Sequence, residues 1–150
     1  MKNLSLLFLA TGLLLCFSTT VTAQENHGNA LNMFVRFGSN SSIAANYEFQ
    51  VTQDITLAPA ARIWLSGDNT FSIGGRGDFY FDRLFNLKEP WDIWGGVDAG
   101  FVVAGDSNKD DFNLNLHAGV EYKFSSMLGV IVEFGGGSTS SGGIGLALHF

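Results

Sequence analysis

The chain has 150 residues, 46% of them hydrophobic, with 14 acidic side chains against 8 basic ones and a net charge of −6. That balance excludes a basic nucleic-acid-binding surface, and the length suits a single domain. No apolar run beyond residue 23 reaches the roughly 20 residues of a spanning helix, so a membrane protein of this sequence must cross with strands closed into a barrel.

Residues 1–23 have the three parts of a cleaved export signal: a basic start at Lys2, an apolar run over 4–17, and a polar stretch ending on the small Ala23. Cleavage is expected between Ala23 and Gln24, with 24–150 forming the barrel domain. Cys16 is the sole cysteine, and the bulky Leu15 before it does not suit a lipoprotein signal. It departs with the signal, leaving no thiol for a disulfide, a metal or a nucleophile.

Eight segments then alternate with period two, the signature of strands between unlike environments. They span 31–37, 43–51, 55–65, 71–82, 91–103, 112–124, 128–135 and 144–150. One parity is apolar throughout, as in Leu31, Met33, Val35 and Phe37, or Phe112, Leu114, Leu116, Ala118, Val120, Tyr122 and Phe124. The other mixes charges with Gly and Ala, as in Asn113, Asn115, His117, Gly119, Glu121 and Lys123. Stretches rich in Gly, Ser, Asn and Asp separate the segments, as turns do. Short connections imply antiparallel hairpins, and the even count predicts an all-β, eight-stranded antiparallel up-and-down transmembrane β-barrel. Pro59 lies mid-strand and cannot donate to the ladder, so a bulge or local distortion is expected there.

Three features put the apolar parity outside. The mixed face is too rich in small residues (Gly74, Gly96, Gly100, Gly119, Gly129) for a solvated face, whereas a narrow eight-stranded interior needs them. The apolar face carries no charge on any strand. Its aromatics fall into two belts, as at the two interfaces of a membrane. One holds Phe49, Phe79, Phe81, Trp91, Tyr122, Phe124 and Phe150; the other holds Phe37, Phe71, Phe101, Phe112 and Phe134. The alternative is a soluble periplasmic barrel with the apolar face turned inward around a ligand.

The inward charges are Arg36, Glu48, Arg62, Arg76, Asp78, Asp82, Asp92, Asp98, Glu121, Lys123 and Glu133, with His117 and His149. Buried charges must be paired or wet, so a structural ion-pair plug is expected, with a gated narrow pore as the sharper reading. Counting across the turns puts Arg76, Asp98 and His117 at one level on the fourth, fifth and sixth strands, with Glu133 a diagonal step away. His117 has Asp98 and Glu121 nearby but no strand serine beside it, and His149 has no obvious partner; catalysis is not expected. The run Asp106 to Asp111 opens like a calcium loop but lacks its Gly and Glu, so a solvated acidic loop is preferred. No metal set and no cofactor are expected. Gly75 and Gly77 should pair near Gly95, Val97 and Ala99 on the outer face, easing strand curvature.

The terminal pattern Ile144-x-Leu146-x-Leu148-x-Phe150 resembles the assembly signal of bacterial outer-membrane barrels. Gly119-x-x-Tyr122-x-Phe124, a tight turn and Leu128-Gly129 resemble the penultimate hairpin of the OmpA-like and OmpX-like small barrels. The resemblance implies an outer-membrane location in a Gram-negative bacterium. It also implies lipid and lipopolysaccharide as surroundings, delivery to the barrel-assembly machinery through Phe150, and a monomer. A peptidoglycan-binding domain is not expected. The role implied is non-enzymatic, structural or surface-interacting; a narrow channel is the alternative.

Overall fold

The computed structural model describes residues 27–38, 41–65, 70–103, 111–139 and 142–150. The expected signal with Cys16, its cleavage point at Ala23 and Gln24, and the loop over 106–110 lie outside these residues.

Eight strands form: β1 (Asn29–Phe37), β2 (Ser42–Gln50), β3 (Ile55–Trp64), β4 (Phe71–Tyr80), β5 (Trp91–Val103), β6 (Asp111–Lys123), β7 (Leu128–Gly137) and β8 (Gly142–His149). Each pairs antiparallel with the next, and β8 returns to β1 with Leu148 opposite Leu31 and Gly142 opposite Phe37, so the barrel is closed. Closure matters physically: every strand edge finds a partner, which a sheet in lipid requires. The alternation in the sequence becomes alternation in burial. On β1, Asn32, Phe34 and Arg36 are buried while Met33, Val35 and Phe37 are exposed. The same parity runs round the barrel, leaving residues such as Leu116 and Phe134 about two-thirds exposed (68% and 67%) and Glu133 fully buried at 0%. This is the inverse of a soluble ligand-binding barrel, and it overturns that alternative: the apolar face lines the outside.

Among the described residues, large side chains occupy the interior. Phe34, Tyr80, Trp94 and Ile131 form an apolar cluster with Ala44 and Ala147. Large inward rings sit opposite glycine, which is how so narrow a barrel accommodates them. Phe34 pairs with Gly145 and Trp94 with Gly119. A Cβ on Gly145 would lie 2.7 Å from the Phe34 ring, and one on Gly119 would press into the indole.

One expectation about the strands is met in part and another changes. Pro59 brings a local distortion but no bulge. The β2–β3 register is the same on both sides of it, with Asn46 opposite Ala60 and Phe49 opposite Leu57, and only the pairing between those positions lapses. A missing N–H interrupts a ladder without adding a residue to it. The fourth strand was expected to run to Asp82 but ends at Tyr80, and a one-turn helix, α1 (Asp82–Phe85), follows. The Asp82 carboxylate accepts the Ile93 N–H at 2.8 Å, pulling the chain back over the barrel mouth, and Asn86 closes the turn in the left-handed conformation.

At the same end the β6–β7 turn is tight. Ser125 Oγ accepts the N–H groups of Met127 and Leu128 at 3.3 and 3.0 Å.

Candidate functional site: a charged plug and a polar mouth

The inward charges separate into three groups. The central one is a chain of alternating sign across the lumen. Arg36 pairs with Glu133 Oε1, and Arg76 Nη1 lies 2.6 Å from Glu133 Oε2. Arg76 Nε donates to Asp78 Oδ2 at 2.5 Å, and Asp78 Oδ1 meets His117 Nε2 at 2.5 Å. His117 Nδ1 is 3.4 Å from Asp98 Oδ2, whose other oxygen is 3.8 Å from Arg62. Three guanidiniums therefore face three carboxylates, with His117 among them. Both Arg36 and Arg76 also lie over the Phe34 ring, at 5.0 and 5.7 Å from its centroid, where the π face favours a cation.

Neutral side chains complete this group toward one end. Asn115 Nδ2 donates to Asp98 Oδ1 at 2.8 Å and to Thr139 Oγ1 at 3.1 Å, and Arg62 Nη1 donates to the same hydroxyl at 2.9 Å.

Glu48 stands apart, on the other side of Phe34. Its carboxylate accepts the Tyr80 hydroxyl at 2.6 Å and the Asn32 amide at 2.8 Å. Replacing Tyr80 with Phe keeps the ring but leaves one buried carboxylate oxygen without its donor. The expected loss is about 1–3 kcal/mol of stability, read as a lower urea midpoint of the folded barrel in detergent.

The third group lines the mouth beside α1. Lys123 Nζ is 2.6 Å from Asp92 Oδ2, and His149 Nε2 is 2.6 Å from Glu121 Oε1. His27 stacks on Tyr80 with centroids 4.0 Å apart, and its Nε2 lies 3.9 Å from Asp82 Oδ2. A pocket of about 300 Å³ opens here, bounded by His27, Glu89, Lys123, Ser125, His149 and Phe150 among others.

The structure corrects several predicted pairings. Arg76 is opposite Asp98, as counted, but His117 is opposite Gly96, and Asn115 takes the place opposite Asp98. Arg76 turns away from its neighbour Asp98 to Glu133 and Asp78. His117 binds Asp78 rather than Glu121, and His149 does have a partner, Glu121. Asp82 belongs to α1 at the mouth and not to a strand. Asn32, Tyr80 and Asn115 join the network as neutral donors, which carry no charge signal in the sequence. His27 precedes the first alternating segment, so periodicity carried no signal for it.

On the outside, Phe37, Phe71, Phe101, Phe112 and Phe134 are exposed, as are Phe79, Trp91, Tyr122, Phe124 and Phe150. Phe49 and Phe81 are half-buried. Phe101 and Phe112 meet edge to face at 5.7 Å, and Trp91 and Tyr122 at 4.8 Å. Gly75 pairs with Ala99, Gly77 with Val97 and Gly95 with Phe79, as expected for the small-residue patch.

No family model matches the chain, and no curated protein matches it either. Among solved structures, a de novo designed transmembrane β-barrel superposes with a TM-score of 0.62 at 19% identity, over 85% of this chain and 98% of that one. The N-terminal β-barrel domain of Pseudomonas aeruginosa OprF does so at 0.61 and 14% identity, over 85% of this chain and all (100%) of that one. Neisserial surface protein A gives 0.53 at 13% identity, over 81% and 94% of the two chains. The chain thus has the closed eight-stranded antiparallel fold of transmembrane barrels.

Proposed function

We propose that this chain is an integral outer-membrane barrel of a Gram-negative envelope, akin to the OmpA-like and OmpX-like small barrels. In this reading it is exported by a cleaved signal, assembled through its terminal Phe150, and held as a monomer among lipids and lipopolysaccharide. Its role is structural or surface-interacting and not enzymatic. The observation that carries the reading is the inversion of the barrel: apolar side chains cover the outside while arginines and carboxylates fill the inside. In water that arrangement would expose the apolar face and bury charge for no gain; in lipid it is the low-energy one. The non-enzymatic part is supported by His117, which is buried within the ion-pair chain with Nε2 held by Asp78 and Nδ1 facing Asp98.

A narrow channel is the second reading, favoured by a polar lumen in which Arg76 already contacts two carboxylates from different strands. Exchange between them would open a path without unfolding a strand. Fractionated envelopes run unboiled and boiled on a detergent gel test the first reading. The expected result is an outer-membrane band that shifts on boiling; a soluble protein with no shift would sink it. Single-channel recording of the same material separates a sealed plug from a conducting one.

A further inference from the structure

The mouth group contains a mixed donor set that stands apart from the plug. His27, Asp82 and Asp92 each offer one ligand atom, and the three atoms lie within 4.8 Å of one another. They come from three places in the fold: two residues before β1, the start of α1 and the start of β5. A small cavity of about 50 Å³ lies against all three, with Glu89, Trp91, Leu87 and Lys123 completing its wall. That volume exceeds the ~10–15 Å³ that a single water requires. The neighbouring 300 Å³ pocket shares His27, Glu89 and Lys123 with it, so an ion has a way in from solvent. Among the described residues three carboxylates (Asp82, Glu89 and Asp92) and one ammonium (Lys123) line the cavity, a setting that favours a cation.

The geometry points to a divalent metal site of the zinc class at this mouth, with His27 Nε2 and one oxygen each from Asp82 and Asp92 as protein ligands. The donor chemistry argues for zinc over calcium or magnesium, since an imidazole beside two carboxylates suits a borderline cation, whereas the hard ions take oxygen alone. Tetrahedral zinc with ligands near 2.0 Å sets its donor atoms about 3.3 Å apart. The His27 Nε2 to Asp82 Oδ2 separation of 3.9 Å is already close to that. Asp92 reaches the ion with whichever oxygen is not held by Lys123 Nζ, and Lys123 then acts as an outer partner orienting the carboxylate. Water from the pocket fills the fourth position. Bound there, the ion ties the N-terminal lead-in to α1 and β5 and closes the mouth from within.

The test titrates Zn²⁺ into the folded full-length barrel in detergent micelles by calorimetry. Saturation at one ion per chain is expected. His27→Phe retains the stacking on Tyr80, removes the nitrogen, and should weaken binding by at least the ~10-fold that loss of an outer partner costs. His149→Ala, in the same pocket but outside the donor set, should bind as wild type does. No saturable binding by wild type, undiminished binding by folded His27→Phe, or loss of binding in His149→Ala would each overturn the site. A second measurement needs no variant. Cu²⁺ bound to the wild-type barrel should show hyperfine coupling to one imidazole in its electron paramagnetic resonance spectrum. Coupling to none or to two overturns the assignment.

Discussion

Glu133→Ala is expected to destabilise the folded barrel by about 3–5 kcal/mol, the range for breaking a buried ion pair by removing one partner. Glu133 is fully buried, and its two oxygens face Arg36 and Arg76. Alanine removes the carboxylate that both guanidiniums share beside the Phe34 ring, while Asp78 stays with Arg76. Cation–π attraction of about 0.5–2 kcal/mol per contact does not replace a carboxylate that serves both. Glu133→Gln keeps the shape and one acceptor while losing the charge, so its loss should fall between wild type and alanine. Adding Arg36→Met to Glu133→Ala removes a buried cation that has lost the Glu133 carboxylate and should recover part of the loss, a coupling that a double-mutant cycle reads directly. Urea unfolding in lipid vesicles, monitored by tryptophan fluorescence, supplies the free energies. A Glu133→Ala barrel within about 0.5 kcal/mol of wild type would mean that water solvates these arginines, and the plug would have to be redrawn as a wet lumen.

The reach of the sequence is clearest around this same residue. Period-two alternation assigned Glu133, Arg36 and Arg76 to one face, because a side chain's side of a strand depends only on its parity. Which of them touch does not follow from parity. Counting across turns compares neighbours along the sheet, so it found Arg76 beside Asp98, which are indeed opposite each other. A narrow lumen lets side chains from β1, β4 and β7 meet across the middle, and there Arg76 finds Glu133. The two-residue error at His117 has a similar origin: the count from the fifth strand to the sixth ran through a connection whose residues could not be apportioned between turn and strand. The helix α1 was not legible, since one turn is too short to show a period, and its anchor is a tertiary hydrogen bond from the Ile93 N–H to Asp82. His27 illustrates the remaining limit. Its neighbours at the mouth, Asp82 and Asp92, are brought to it only by closing β1 on β8 and folding α1 over the end.

Val97→Arg is the sharpest test of what surrounds the barrel. Val97 is the middle residue of the 13-residue β5, points outward, and pairs with Gly77 and Leu116. No inward group lies on its side of the sheet, so the substitution leaves the plug untouched and reports only on the medium outside. If that medium is hydrocarbon, an arginine at mid-strand costs about 2–4 kcal/mol, while the same change near an interface costs about 0–1. Leu65, just beyond the end of β3 and 59% exposed, supplies the interface position. The expected result in lipid vesicles is therefore a large loss for Val97→Arg and a small one for Leu65→Arg. Were the exterior in water, both would be ordinary surface changes within about 0.5 kcal/mol of neutral. Equal, small effects would remove the membrane from the reading even with the barrel intact. A gradient from middle to end would tie the apolar belt seen on the outside of this fold to the hydrocarbon it is shaped to meet.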